Sequence, residues 1–287
     1  MSFSSDTKKE LSKLNNLNKK DEVKYEFLGY LMSKNITIES SFIRFATESE
    51  YNINRFAKLL DNLFIKYKID FDGKSFIINF KTKDIKELNI NLKNNMFILE
   101  EKIEDINLVK AIIRGVFMGG GSINNPDNNY HLEINMQNEE NKQIILNYLN
   151  TYGINFKNLS SKNSIYIKDG EDISNFLALI GANKAVLKFE EIRVAKEMRG
   201  KVNRIVNCKE ANLNKTINAS VEQIAAINKL KKENKFYKLD DNLKEIANLR
   251  LENPDMSLID LGKKLKKPIG KSGVNYRLKK IIDIANS

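Results

Sequence analysis

Residues 27–35, FLGYLMSKN, and residues 113–121, IRGVFMGGG, decide how this chain folds. Each is an apolar run with a glycine in its middle, Gly29 in the first and Gly115 in the second, 86 residues apart. A helix that is apolar around most of its circumference is buried, and a glycine within it lets a second backbone approach closely. By residue type, the two segments predict a pair of core helices packed on each other.

Outward from these segments the pattern repeats. In the first half a helix over residues 21–33, with Val23, Phe27, Leu28 and Leu31 on one side, precedes strand-like runs at 36–38 and 41–47. A helix over about 54–67 follows, then strands at 68–71 and 75–80 around the turn pair Asp72-Gly73. Residues 82–104 show no clear period. The order then begins again with a helix over 108–118, a break at Gly119-Gly120-Gly121, an alternating strand over 130–136, a helix over 139–152, and strands at 154–157 and 164–168. Helices at 172–180 and 184–198 close the region. The expected architecture is a pseudo-symmetric α+β unit of two halves, about 20–105 and 106–198, each covering the apolar sheet face of the other. A polar segment, 1–19, precedes it. A basic linker, 199–213, separates it from an all-helical domain over 214–287.

Composition narrows the function classes. The chain has 287 residues, 30% of them charged and 41% hydrophobic, close to globular averages. Residues 1–10 carry no apolar run of signal-peptide length, and no later stretch has the length and hydropathy of a membrane span, so a cytoplasmic protein is expected. One cysteine, Cys208, and one histidine, His131, exclude an internal disulfide and a Cys/His zinc site. His131 lies in the alternating run Tyr130-His131-Leu132-Glu133-Ile134 and reads as a strand surface residue. Cys208 reads as a small buried side chain. The net charge of +11 is unevenly spread. Residues 1–198 carry +1, whereas residues 199–287 hold 20 Lys and Arg against 10 Asp and Glu. A localised basic excess predicts a polyanionic partner for the last third.

That last third reads as four helices, 220–233, 239–252, 257–265 and 272–285. The third begins with Ser257-Leu258-Ile259-Asp260, a capping-box-like start, and carries Leu258, Leu261 and Leu265 on one side. Lys266-Lys267-Pro268-Ile269-Gly270 forms a short break. In the fourth helix Val274, Leu278, Ile281 and Ile282 make a narrow inward stripe. Lys271, Ser272, Asn275, Tyr276, Arg277, Lys279 and Lys280 are left for DNA. Short helix, tight turn and basic second helix suit a helix-turn-helix, in which Lys and Arg meet phosphates while Asn and Arg present paired hydrogen bonds to base edges. An amphipathic bundle that binds another protein is the alternative.

Both glycine-bearing segments resemble the LAGLIDADG helix of homing endonucleases, whose two copies pack between two αββαββα halves. In that family the eighth motif position is an acid that binds the divalent metal; the matching positions here are Lys34 and Gly120. Neither offers a carboxylate, so the resemblance implies a retained fold without the cleavage centre. With residues 113–126 and 130–134 (IRGVFMGGGSINNP and YHLEI), 203–215 (NRIVNCKEANLNK) and 243–285, the chain resembles the WhiA family of bacterial sporulation and cell-division regulators. Those proteins join a degenerate LAGLIDADG-type domain to a C-terminal helix-turn-helix. The resemblance implies a nucleoid-associated, sequence-specific transcription regulator with no cofactor, no metal and no catalysis. Its partner is double-stranded DNA, with a second regulatory protein as one option for the N-terminal domain. The alternative is a metal-dependent endonuclease working through acids elsewhere, such as Glu26, Asp105 or Asp127.

Overall fold

The expected polar start of the chain instead folds as a helix, α1 (Phe3–Leu11), with Phe3, Thr7 and Leu11 buried. These three recur every fourth position on one face, and the Ser2 side chain caps the helix by accepting the Ser5 amide. In the computed structural model, which describes residues 2–39, 41–86, 88, 90, 92–93, 96–97, 103–159 and 162–287, the chain divides into two units, Met1–Lys196 and Glu197–Ser287.

The first unit contains the repeat. Its first half runs α2 (Lys20–Leu31), β1 (Ile36–Glu39), β2 (Phe42–Thr47), α3 (Glu50–Asn62), β3 (Tyr67–Phe71) and β4 (Phe76–Lys81), followed by a short α4 (Thr82–Lys86) and a small antiparallel pair, β5 (Leu92–Lys93) and β6 (Met96–Phe97). Its second half runs α5 (Ile106–Gly120), β7 (Gly121–Ile123), β8 (Leu132–Asn135), α6 (Glu139–Thr151), β9 (Lys157–Leu159), β10 (Ser164–Ile167) and α7 (Gly170–Ile180). The sheets have matching antiparallel orders, β1-β2-β4-β3 and β7-β8-β10-β9. Phe45 pairs with Ile78 in one and Ile134 with Ile165 in the other, so the alternating apolar residues of both sheets point at the helices. The predicted repeat is therefore present. The helix predicted from residue 54 starts earlier, because Ser49 accepts the Asn52 amide and caps α3 there. The glycine run does not break α5 where expected: the helix runs through Gly120, and Gly121 opens β7.

α2 and α5 cross at their glycines. A Cβ added to Gly29 would collide with the Ile112 carbonyl oxygen and sit 2.8 Å from the Val116 nitrogen, while one on Gly115 would strike the Glu26 carbonyl oxygen. Only glycine permits this approach. Around the crossing, Phe27, Tyr30, Phe45, Phe56 and Phe80 form a connected aromatic cluster, with ring centroids 4.6–6.0 Å apart. Each fully buried ring contributes roughly 1.5–3 kcal/mol by removal from water.

α8 (Asn183–Lys232) begins in the first unit and ends in the second. Two carboxylate oxygens of Glu10 accept the Lys184 and Ala185 amides at 2.7 and 2.9 Å, satisfying donors that a helix start leaves unpaired. Residues 199–219, expected to separate two helices, are helical throughout. A turn of 3-10 helix at Phe236–Lys238 then leads to α9 (Asp241–Glu252), α10 (Leu258–Lys264) and α11 (Lys271–Asn286). The core of the second unit gathers Ile227 and Leu230 of α8, Leu243 and Ile246 of α9, Leu261 and Leu265, and Val274, Leu278 and Ile281 of α11.

Candidate nucleic-acid interface

The capping-box-like start expected of α10 is an N-cap by Ser257. Ser257 Oγ accepts the Asp260 amide at 3.2 Å and donates to Asp260 Oδ2 at 2.7 Å. That second bond, with Lys263 beside it, holds the Asp260 carboxyl below its usual range. Gly262 lets the turn fold back on the helix. Its carbonyl accepts the Ile269 amide at 3.2 Å, and an added Cβ would run into the Ile269 carbonyl oxygen and come within 3.1 Å of Val274 Cγ2. Lys266 donates its amide to Glu245 Oε1 at 2.7 Å, tying the turn to α9. From the other side Arg250, 1% exposed, donates to the Pro254 and Met256 carbonyls at 3.1 and 2.8 Å and orders the loop between α9 and α10. Burial without a carboxylate partner lowers its pKa.

With α10 and the turn fixed, the orientation of α11 follows. Val274, Leu278 and Ile281 are fully buried, as the sequence stripe requires, and Ile282 is partly buried at its edge. Lys271, Ser272, Asn275, Tyr276, Lys279 and Lys280 are exposed, Tyr276 with 69% of its surface free. Arg277 is half-buried on the flank. Lys280 Nζ lies 3.9 Å from Asp240 Oδ2, which draws part of its charge inward. All seven residues thus lie on one helix beside an exposed pair in the turn, Lys266 and Lys267. That pair was absent from the expected set. The only sequence signal for it was the Lys run ahead of Pro268.

The positions that correspond to the endonuclease acids lie where α2 and α5 end. Lys34 is exposed and donates its amide to the Asn135 carbonyl at 3.2 Å. Gly120 presses on the same carbonyl, so a side chain there would collide with it. Of the three acids considered as substitutes, Glu26 and Asp105 are engaged in structural bonds. Glu26, fully buried, accepts from Arg55 Nε and Nη2, both at 2.8 Å, from Arg114 Nε at 3.0 Å and from Asn16 at 3.2 Å. Asp105 caps α5, and Asp127 is exposed in the loop after β7. Among the described residues, no group of three or more His, Cys, Asp or Glu is placed to hold a metal ion.

His131 sits on the surface just before β8, stacked on Tyr166 with ring centroids 5.8 Å apart and with Nε2 3.5 Å from Glu133. Cys208, expected to be buried, is exposed, as is every residue of α8 from 201 to 219. No helix among the described residues is long and apolar enough to cross a membrane.

Two repeated α/β halves joined at a glycine crossing, followed by a helix-turn-helix, define a class: a LAGLIDADG-like domain coupled to a nucleic-acid-binding module. Two family models match, the WhiA LAGLIDADG-like domain over residues 109–199 and the WhiA C-terminal HTH domain over residues 202–285. The crystal structure of full-length DUF199/WhiA from Thermotoga maritima is 30% identical, with a TM-score of 0.62 over 100% of this chain and 98% of that one. A structure of the N-terminal LAGLIDADG domain of DUF199/WhiA is 26% identical, with a TM-score of 0.52 over 63% of this chain and 92% of its own. A probable cell division protein WhiA of Clostridium tetani is 47% identical over 207 residues, 71% of this chain and 65% of that protein. Its counterpart in Clostridium acetobutylicum is 49% identical over 185 residues, 64% of this chain and 58% of that protein. The matched stretch thus spans under two thirds of these curated relatives. The chain belongs to the WhiA family.

Proposed function

We propose that this chain is a sequence-specific DNA-binding transcription regulator linked to cell division and, in spore formers, to sporulation, with α11 as its reader. The observation that carries this reading is the fixed orientation of α11, whose three core residues point inward while Lys271, Ser272, Asn275, Tyr276 and Lys279 face solvent. Early residues of the second helix are where helix-turn-helix proteins reach base edges, and Asn275 offers the donor and acceptor pair that matches adenine. Lys266, Lys267, Lys279 and Lys280 flank it as phosphate contacts. A DNA partner places the protein on the nucleoid, in the cytoplasm.

The LAGLIDADG-like domain acts in this reading without cutting DNA. Lys34 and Gly120 occupy the motif's metal positions, and Glu26 is already engaged by two arginines. The domain is left free to bind a second regulatory protein. The test is genome-wide mapping of bound DNA, with peaks expected at promoters, alongside incubation of the purified protein with plasmid and Mg²⁺ or Mn²⁺. Reproducible double-strand cuts lost on mutation of a single acid would refute the non-catalytic reading, and an absence of promoter peaks the regulatory one.

A further inference from the structure

The middle of α8, residues 201–219, has no role in the core. Every residue from 201 to 219 is exposed, although the segment is a regular helix. A helix surface exposed all round, part of it apolar, is open to a partner.

Its circumference is divided by chemistry. At about 100° per residue, Val202, Ile205, Val206, Leu213 and Ile217 share one side, each between 43% and 59% exposed, with Lys209 the one charge in their midst. Lys201, Arg204, Cys208 and Lys215 line the other, with Asn203, Asn207, Asn214 and Asn218 in the adjoining row. Glu210 is the one acid in residues 199–218, and it lies at the margin of the apolar side. No carboxylate among the described residues pairs with Lys201, Arg204 or Lys215.

We infer that this polar face of α8 is a second DNA-contacting element, lying in a groove of the duplex beside the site read by α11. The inference rests on the DNA-binding reading above. Cations without acids meet a polyanion, whereas a protein partner would be expected to supply the missing carboxylates on its own surface. Asparagine is a poor helix former, and a row of four spaced 4, 7 and 4 residues apart is the amide ladder that base edges and phosphates can both engage. An unencumbered helix also fits the major groove, whose width is about 12 Å.

Cys208, the single cysteine of the chain, lies within this face and supplies the probe. The full-length protein is bound to duplex fragments recovered by the genomic mapping, and alkylation of Cys208 by iodoacetamide is followed with and without DNA. DNA is expected to slow alkylation several-fold, and a photo-cross-linker on Cys208 to join the protein to the duplex. In a Cys208→Ser background, Val206→Cys on the opposite side is expected to keep its free rate. Replacing Lys201, Arg204 and Lys215 together by alanine is expected to lower the salt slope of binding by about 2.7, with helicity retained.

If the duplex is bound yet Cys208 reacts as fast as in the free protein, the inference fails while the α11 reading stands. If no duplex binds at all, both fail. Protection of Cys208 that rises with protein concentration without DNA would assign the face to a second copy of the chain and overturn the proposal, as would equal protection of Val206→Cys.

Discussion

Removing one buried carboxylate should loosen the whole first unit. Glu26→Ala deletes four hydrogen bonds and leaves two guanidinium groups, Arg55 at 1% and Arg114 at 6% exposure, without a counter-charge. Breaking a buried ion pair from one side costs about 3–5 kcal/mol. For a unit of this size that corresponds to a fall in Tm of roughly 6–20 °C. Urea and thermal unfolding of wild type and variant measure it directly. Burial by itself would push the Glu26 pKa up, but the Arg55 hydrogen bonds and the Arg114 and Arg55 charges hold it below the ordinary carboxylate value. The folded pKa is thus lower than the unfolded one, so the stabilisation is full above the unfolded value of about 4.3 and is lost as pH falls through the folded value. The gap between wild type and Glu26→Ala should therefore narrow in acid. Adding Arg114→Met to Glu26→Ala should recover part of the loss. A loss below about 1 kcal/mol at neutral pH would refute the assignment of this triad as a structural keystone.

Gly115→Ala forces a methyl group into the Glu26 carbonyl and should cost about 3 kcal/mol, read by the same unfolding curves. Gly120→Asp with Lys34→Asp should destabilise the first unit, because of the Asn135 carbonyl, and should yield no plasmid cleavage with Mg²⁺. Asn275→Ala should cost roughly 1–3 kcal/mol on a mapped site and little on scrambled duplex, whereas Lys279→Ala should weaken both alike and reduce the salt slope by about 0.9. Arg277→Ala, at its half-buried position, should narrow the same cognate-to-scrambled gap, and an unchanged ratio for both Asn275→Ala and Arg277→Ala in folded protein would remove α11 as the reader.

The repeat was legible because its signal is local: glycines within apolar helices and strands that alternate. α11 was legible for the same reason, its inward stripe being set by period alone. α1 was not, since two apolar residues and a threonine every fourth position are lost among nine mostly polar residues. The continuity of α8 was hidden too. Its exposed middle mixes Asn, Lys and apolar residues in a pattern that resembles a junction, and no proline interrupts it. β9 was placed too early because the apolar residues Ile154 and Phe156 fill the core from the loop, while the strand itself carries Lys157 and Asn158 at a sheet edge. The Glu26 triad joins residues 29 and 88 positions apart, and Arg55 and Arg250 belong to a residue type that is rarely buried. Nothing local announces such partners.

The bonds from Glu10 to the first amides of α8 close a span of 174 and 175 residues. During synthesis α1 emerges ahead of the repeat, and Glu10 has no amides of α8 to cap until the whole repeat has been made. Until then Phe3 and Leu11, which the finished unit buries, remain in solvent and available to chaperones. Completion of the first unit is thereby tied to synthesis of the helix that leads into the second, and a chain truncated before residue 184 would lack the contact that locks its own beginning.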